Sequence, residues 1–342
     1  MHKKKINLIL PLFLLIIFCI LPIQGCKKKP DSISKTDFYF DTVVTITIYD
    51  SDKTELLDEC FAICDKYEKL FSKTIPGSDI AKINQNSQKG QNTTTISDDT
   101  TAMISTSLKY SELTNGAFDI SISPLSDLWN ITSQNPKIPS KKEISSCLKR
   151  TDYKKIKVHD SSVTLGARQE LDLGGIAKGY IADKLKEYLL KQNVKSALIN
   201  LGGNVLEVGQ KSSSSDFTIG IQYPFKENSD IIAKVVAKDK SIVSSGSYER
   251  YFKKNGKIYH HILDPTTGFP ADSDLNGVTI ISDSSMDGDC LSTSCFILGS
   301  KKAQKLIESL PHVEAVFISK ENKITVTSGL SYEPSSKTIT LK

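Results

Sequence analysis

The segment Asp172-Leu173-Gly174-Gly175-Ile176-Ala177-Lys178-Gly179-Tyr180 places a carboxylate, two adjacent glycines and a lysine directly ahead of an amphipathic stretch. From Ile181 to Gln192 the apolar positions Ile181, Leu185, Tyr188 and Leu189 share one side, with Lys184, Lys186, Glu187 and Lys191 on the other. That spacing predicts a helix. Its first turn points unpaired N–H groups and the positive end of its dipole back at the glycines, where missing side chains leave room for an anionic ligand. An ordinary glycine-rich strand-to-helix turn has the same composition, and this segment alone does not separate the two readings.

The rest of the chain alternates strands and helices without a regular βαβ rhythm. Phe40 to Tyr49 alternates with β-branched residues and reads as a strand, followed by a helix from Glu55 to Leu70. Gln85 to Thr100, rich in Asn, Gln, Ser and Thr, reads as a loop, and a further helix is expected from Thr101 to Leu113. Ser133 to Ser140, with two prolines, is another loop. After the central helix, strands are expected at Ala197–Leu201, Phe217–Gln222 and Ile231–Ala237, with Ser212 to Ser215 marking a turn. The last third suggests strands at Ser241–Ser244, Lys257–Ile262 and Gly277–Ser282. Helices at Met286–Leu298 and Lys301–Leu310 follow, then strands at Val313–Ser319 and Lys323–Thr327. No internal repeat is visible, and the pattern predicts an α+β domain of mixed, largely antiparallel sheet with packed helices.

The N-terminus carries an address. Lys3, Lys4 and Lys5 precede an apolar run from Leu8 to Leu21, too short for an ordinary membrane span. The run ends in Leu21-Pro22-Ile23-Gln24-Gly25-Cys26, which resembles a bacterial lipobox with an unusual Gln24. The expected organisation is a signal peptide over 1–25, a lipidated tether over 26–36 beginning at Cys26, and one catalytic-sized domain over 37–342. Asp31 to Asp37 reads as a flexible spacer. A plain secretory signal with an incidental cysteine is the other reading. The formal net charge of +5 includes three leader lysines, so the remainder is close to neutral and makes no electrostatic case for nucleic acid. Cys60, Cys64, Cys147, Cys290 and Cys295 form no CxxC pair and are odd in number, which argues for buried thiols over a disulfide framework.

Two further groups bear chemistry. In Tyr259-His260-His261-Ile262-Leu263-Asp264-Pro265-Thr266-Thr267-Gly268 a strand ends in a histidine beside a sharp turn, a suitable place for a general base. His260 and His261 should face opposite ways, and a histidine bonded to a local carbonyl is the plainer reading. Asp289 and Thr293 stand at i and i+4 of an expected helix and present two hard oxygens of the kind Mg²⁺ accepts. An exposed helix face with a capping aspartate is the alternative. Zinc spacings and an HExxH motif are absent, and Ser245-Gly246-Ser247 lacks the GxSxG elbow of serine hydrolases.

Taken together these groups resemble the ApbE family of flavin transferases over roughly Asp37 to Thr327. The anchoring residues are Ser78 to Asn84, Gly116-Ala117-Phe118-Asp119 with Pro124, Leu125 and Trp129, Asp172 to Tyr180, and Asn200 to Asn204. Ser245 to Arg250, His261 to Pro265 with Thr267 and Gly268, and Asp289 with Thr293 complete the set. The resemblance implies Mg²⁺, or Mn²⁺ in its place, held by the Gly175 carbonyl, Asp289 and Thr293. It implies FAD resting on Ala117, Phe118, Asp119, Asp172, Lys178, His261 and Ile262. Phe40 stands where many members have methionine, and Thr74 where many have tyrosine. The implied reaction carries FMN from FAD to a Thr or Ser hydroxyl of an exported or membrane redox flavoprotein, with AMP released and His261 taking the proton. An FAD pyrophosphatase and a non-catalytic flavin-binding lipoprotein are the competing functions.

Overall fold

The computed structural model describes residues 32–211, 215–226 and 230–342. The signal, the lipobox with Cys26 and most of the serine turn lie outside the described residues. In chain order the elements begin with β1 (Ile33–Tyr39), β2 (Thr42–Ile48), α1 (Glu55–Phe71), α2 (Asp79–Gln88), β3 (Thr93–Thr95) and α3 (Asp98–Leu113). Next come α4 (Ser123–Trp129), α5 (Lys141–Leu148), β4 (Lys157–His159), β5 (Ser162–Thr164), α6 (Ala177–Lys191), β6 (Ser196–Leu201) and β7 (Asn204–Gly209). Strands β8 (Phe217–Gln222), β9 (Ile231–Ala237), β10 (Ser241–Gly246), β11 (Tyr251–Lys254), β12 (Lys257–His260) and β13 (Leu275–Ser282) lead to α7 (Ser285–Leu298) and α8 (Ser300–Ile307). The chain closes with β14 (Val313–Ser319), β15 (Ile324–Val326), β16 (Leu330–Glu333) and β17 (Thr338–Leu341).

The largest sheet has eight strands in the order β1-β2-β6-β7-β10-β13-β14-β15, every neighbouring pair antiparallel. Both of its faces are covered. Val44, Ile46, Ile48, Ile199 and Leu201 pack against Leu57, Phe61, Ile181 and Leu185 of α1 and α6. Val278 and Ile280 meet Leu291, Cys295 and Phe296 of α7. On the opposite face Ile242, Ile281, Val316 and Ile318 pack on Ile221, Val235 and Ile339 of the second sheet, ordered β16-β17-β9-β8. All eight residues of β13 are buried, because this strand lies between the two layers. The parallel β17–β9 pair makes the second sheet mixed, so the α+β expectation with mostly antiparallel pairing holds.

Several local expectations need correction. The spacer expected up to Asp37 is instead strand β1 from Ile33, paired along its length with β2. Phe40 and Asp41 do not begin a strand; they form the β1–β2 turn with φ of 54° and 55°, the left-handed pair that a two-residue hairpin of right-handed twist requires. The stretch from Gln85 to Thr100, expected as a loop, instead holds the last turn of α2, the whole of β3 and the start of α3. Polar residues cap these elements: the Ser78 hydroxyl accepts the Ala81 N–H at 2.9 Å, and Asp79 Oδ2 accepts the Ser97 N–H at 2.9 Å. The strand expected to reach Ile262 ends at His260, where the His261 N–H donates to the Arg250 carbonyl. Elements α4, α5, β4, β5, β7, β11, β16 and β17 had no counterpart in the pattern.

Candidate functional site

The glycine segment enters α6 beside the α3–α4 connection. The Asp172 N–H bonds the Ile120 carbonyl at 2.8 Å, and a Cβ on Gly175 would lie 3.2 Å from the Phe118 ring. Phe118 and Ala117 are buried there. Asp119 turns its carboxylate inward, taking the Ser121 N–H at 2.8 Å, the Ser121 hydroxyl at 2.6 Å and the Tyr153 N–H at 3.0 Å. Its carboxylate therefore shapes the connection, and burial pushes its pKa up.

Asp172 has a partner that its sequence neighbourhood does not disclose. Lys73 Nζ lies 2.9 Å from Asp172 Oδ2 and 2.6 Å from Asp127 Oδ1. It also donates to the Ser126 hydroxyl at 3.0 Å, and that hydroxyl donates to Asp172 at 3.1 Å. Burial alone would raise the Asp172 pKa. Lys73, the Gly174 N–H and Ser126 outweigh it, and the pKa is lowered.

Lys178 turns away from Asp172. Its ammonium lies 3.3 Å from Asp289 Oδ1 and donates to the Gly174 carbonyl at 3.0 Å. Asp289 is 4 % exposed, so it is not on a solvated helix face. Its Oδ2 accepts the Gly179 N–H at 3.0 Å. Gly179 is the third residue of α6, so its N–H is one of the first-turn donors that a helix cannot satisfy internally, and Asp289 caps it. The Gly175 carbonyl lies just ahead of the helix, before the Ile176 cap. One turn along α7 from Asp289, Thr293 is half-buried, with its hydroxyl 3.4 Å from the Ser245 hydroxyl at the end of β10.

The helices can meet this closely because Gly179 has no side chain. A Cβ there would lie 2.3 Å from the Ser285 carbonyl oxygen and 2.5 Å from the Met286 Cα. The crossing puts the first turn of α6 against the first turn of α7, with the Asp289 carboxylate one turn further along and Thr293 one turn beyond it.

The β11–β12 ribbon supplies the remaining wall. His261 Nδ1 lies 3.3 Å from the Arg250 carbonyl oxygen. A carbonyl only accepts, so Nδ1 carries the proton and Nε2 keeps its lone pair. Burial, with the Arg250 charge adding to it, brings the His261 pKa down to about 3, so the ring is neutral at pH 7. His260 faces the other way, into the core, its Nε2 3.2 Å from the Ala271 carbonyl oxygen and its ring edge-on to Phe296. The Ile262 side chain is in the core, leaving only backbone for a ligand. Phe40 reaches this wall through its turn, since Arg250 donates to the Asp41 carbonyl at 3.4 Å while the Phe40 N–H bonds Glu68 at 2.7 Å.

Glu249, adjacent to Arg250, is exposed at the surface yet set among the charges of Lys178, Arg250 and Asp289. Desolvation raises its pKa to about 7; Lys178 and Arg250 pull it down, and Asp289 pushes it up. It stands within the field of the same charged groups, and nothing in its sequence position marked it out.

Hard oxygen donors around one point suit a divalent cation. Among the described residues no three His, Cys, Asp or Glu side chains converge on a metal, so any ion here depends on backbone and hydroxyl oxygen besides Asp289. Asp289 and Thr293, one turn apart on α7, and the Gly175 carbonyl ahead of α6 would supply oxygens of that kind, and the Lys178 ammonium on Asp289 shows that this carboxylate favours positive charge.

The pattern that defines the ApbE family matches residues 40–317. The chain belongs to the ApbE family. It is 35% identical over 288 residues to the FAD:protein FMN transferase of Klebsiella pneumoniae, covering 83% of this chain and 88% of that one. To the FAD:protein FMN transferase of Treponema pallidum it is 30% identical over 338 residues, covering 93% and 92%. The ApbE protein of Thermotoga maritima superposes with a TM-score of 0.79 at 30% identity, over 87% of this chain and 97% of that one. The Pseudomonas stutzeri flavinyl transferase ApbE, in its apo form, gives 0.76 at 26% identity, over 87% and 95%. Within this ApbE chain, the predicted residues Phe118, Asp172, Gly175, Lys178, His261, Asp289 and Thr293 come together around the α6 N-terminus. Asp119 and Ile262 support that wall from beneath with their side chains.

Proposed function

We propose that this chain transfers FMN from FAD to a Thr or Ser hydroxyl of a partner protein, with AMP as the leaving group. Its relatives named FAD:protein FMN transferase support the reaction class. The observation that supports the local reading is the bond from Gly179 to Asp289, which draws the α7 carboxylate onto the first turn of α6, next to the glycine segment.

The α6 N-terminus would receive the pyrophosphate of FAD, since its free N–H groups and dipole favour negative charge. Lys178 adds a mobile cation at the same place. Phe40, half-buried at the hairpin turn, offers aromatic surface to a ring, while the buried Phe118 backs the glycine turn from the core. Mg²⁺ at Gly175, Asp289 and Thr293 would neutralise pyrophosphate oxygens and stabilise the departing AMP phosphate. His261 Nε2 holds a lone pair toward the crevice and would take the acceptor hydroxyl proton. A bound pyrophosphate would raise the depressed pKa of that ring and strengthen it as a base when substrate is present.

FAD hydrolysis to FMN and AMP uses the same groups with water as nucleophile, and the exposure of Glu249 and half-burial of His261 leave water a route to them. The lipobox supports an extracytoplasmic protein held to a bacterial membrane through Cys26, with an exported or membrane redox subunit as acceptor. No helix among the described residues is long and apolar enough to cross a membrane. Detergent-solubilised full chain incubated with FAD, Mg²⁺ and a candidate flavoprotein subunit tests the reading. Covalent flavin fluorescence on the subunit is expected; free FMN without labelling indicates hydrolysis, and unchanged FAD indicates binding alone.

A further inference from the structure

Helices α6 and α7 are tied by two carboxylates acting in opposite directions. Asp289 of α7 takes an N–H from the first turn of α6. Asp183, one turn further along α6 from Gly179, takes the first-turn donors of α7: the Ser285 N–H at 2.8 Å on Oδ1, and the Met286 N–H at 3.0 Å on Oδ2. The Ser284 hydroxyl, at the helix cap, donates to the same Oδ2 at 2.8 Å. Each oxygen of Asp183 is thus committed to the start of α7, and none faces the crevice donors.

A carboxylate fixed on one helix and bonded to the first N–H groups of another sets both the axial position and the rotation of the second helix. Asp289 stands one turn beyond Ser285, and Thr293 one turn beyond that. Mg²⁺ tolerates little error in its oxygen distances, near 2.0–2.1 Å. We propose that Asp183 is a positioning residue for the divalent-cation site, holding α7 in the register that aims Asp289 and Thr293 at the Gly175 carbonyl. This inference rests on the cation site proposed above. The clamp works with the Gly179 contact: the missing Cβ permits the close crossing, and Asp183 selects where along α7 it occurs.

A cap that served stability alone would lower the melting temperature without altering cation binding in the folded molecules. Binding is therefore read directly, by titrating the full chain with Mn²⁺ and following the free-ion signal by electron paramagnetic resonance, with no turnover required. Asp183→Ala should weaken Mn²⁺ roughly 10- to 100-fold, the range seen when groups that orient metal ligands are lost. Asp183→Asn keeps the shape and part of the accepting capacity, so it should fall between and serves if the alanine variant folds poorly. Val235→Ala, in the core between the sheets and far from the clamp, should lower the melting temperature and leave Mn²⁺ affinity unchanged. If wild type and Asp289→Ala differ as expected but both Asp183 variants bind Mn²⁺ like wild type, the role of Asp183 is overturned. If wild type fails to bind, or Asp289→Ala binds equally well, the cation site itself falls, and this inference with it.

Discussion

Asp289 accepts the backbone N–H of Gly179 at 3.0 Å, across a sequence separation of 110 residues. That bond anchors α7 on the start of α6 and caps a first-turn donor that the helix itself cannot satisfy. Asp289→Ala is expected to lose Mg²⁺-dependent FMN transfer; full transfer by that variant would refute its assignment as a ligand.

Gly179→Ala tests the crossing itself. The added methyl would meet backbone atoms of Ser285 and Met286 at 2.3–2.7 Å, where no flexible side chain can yield. Forcing the helices apart should cost on the order of 1–3 kcal/mol or more and displace Asp289 from α6. Denaturant midpoints report the first effect and Mn²⁺ titration the second. A variant with wild-type values for both would show that the contact is not needed.

Lys73→Met leaves Asp172 and Asp127 without their shared cation. Loss of a partner from a buried pair costs about 3–5 kcal/mol, and a smaller loss, about 1–3 kcal/mol, is expected because Lys73 and Asp172 each keep 24% of their side-chain exposure. The Asp172 pKa is lowered in the folded protein, so this stabilisation is present above the unfolded pKa and fades as the pH falls. Chemical denaturation at pH 7 and at about pH 3 and below should show a gap between wild type and variant that narrows only under the more acid conditions, below the ordinary aspartate pKa.

His261→Gln should slow FMN transfer by roughly 10²–10⁴-fold, the usual contribution of a general base, with FAD binding retained. Because its pKa is held near 3 in the free protein, the acid limb of kcat/KM in the wild type should lie nearer pH 3 than the ordinary histidine value. The limb of kcat should lie higher, since bound pyrophosphate favours the imidazolium. Coincident limbs would count against proton transfer to this ring.

Glu207, wholly buried on β7, is raised from 4.5 to about 7 by desolvation. A raised folded pKa gives stability that is complete below the unfolded value and lost as pH climbs through 7. Glu207→Gln removes this slope. The stability of variant minus wild type should grow between pH 5 and pH 8 by on the order of 2–3 kcal/mol, measured by urea unfolding at each pH. A constant difference would mean the carboxyl is not neutral in the fold.

What the sequence disclosed followed from how burial is written into it. β8, β9 and β14 match their expected bounds because β-branched residues alternate between clear turn signals. The helix of Asp289 and Thr293, expected over Met286–Leu298, runs from Ser285 to Leu298. α2 was hidden because its composition is mostly polar, and its stability comes from the Ser78 cap and a few buried contacts through Ile80 and Ile83. At the site, motif residues could be named, but their partners could not. Lys73 meets Asp172 through tertiary folding alone, Lys178 chose Asp289 over the nearer Asp172, and Glu249 gained its raised pKa from walls that belong to other segments.

The turn of Phe40 and Asp41 gives the crevice a mechanical property. Two adjacent non-glycine residues in left-handed conformations cost about 1–3 kcal/mol each, and such turns persist when neighbours over-determine them. Here the neighbours are on opposite banks, Glu68 of α1 and Arg250 of the ribbon that carries His261. The hairpin tip therefore bridges the two banks, and the position of Phe40 and that of the ribbon carrying His261 share one anchor at Arg250.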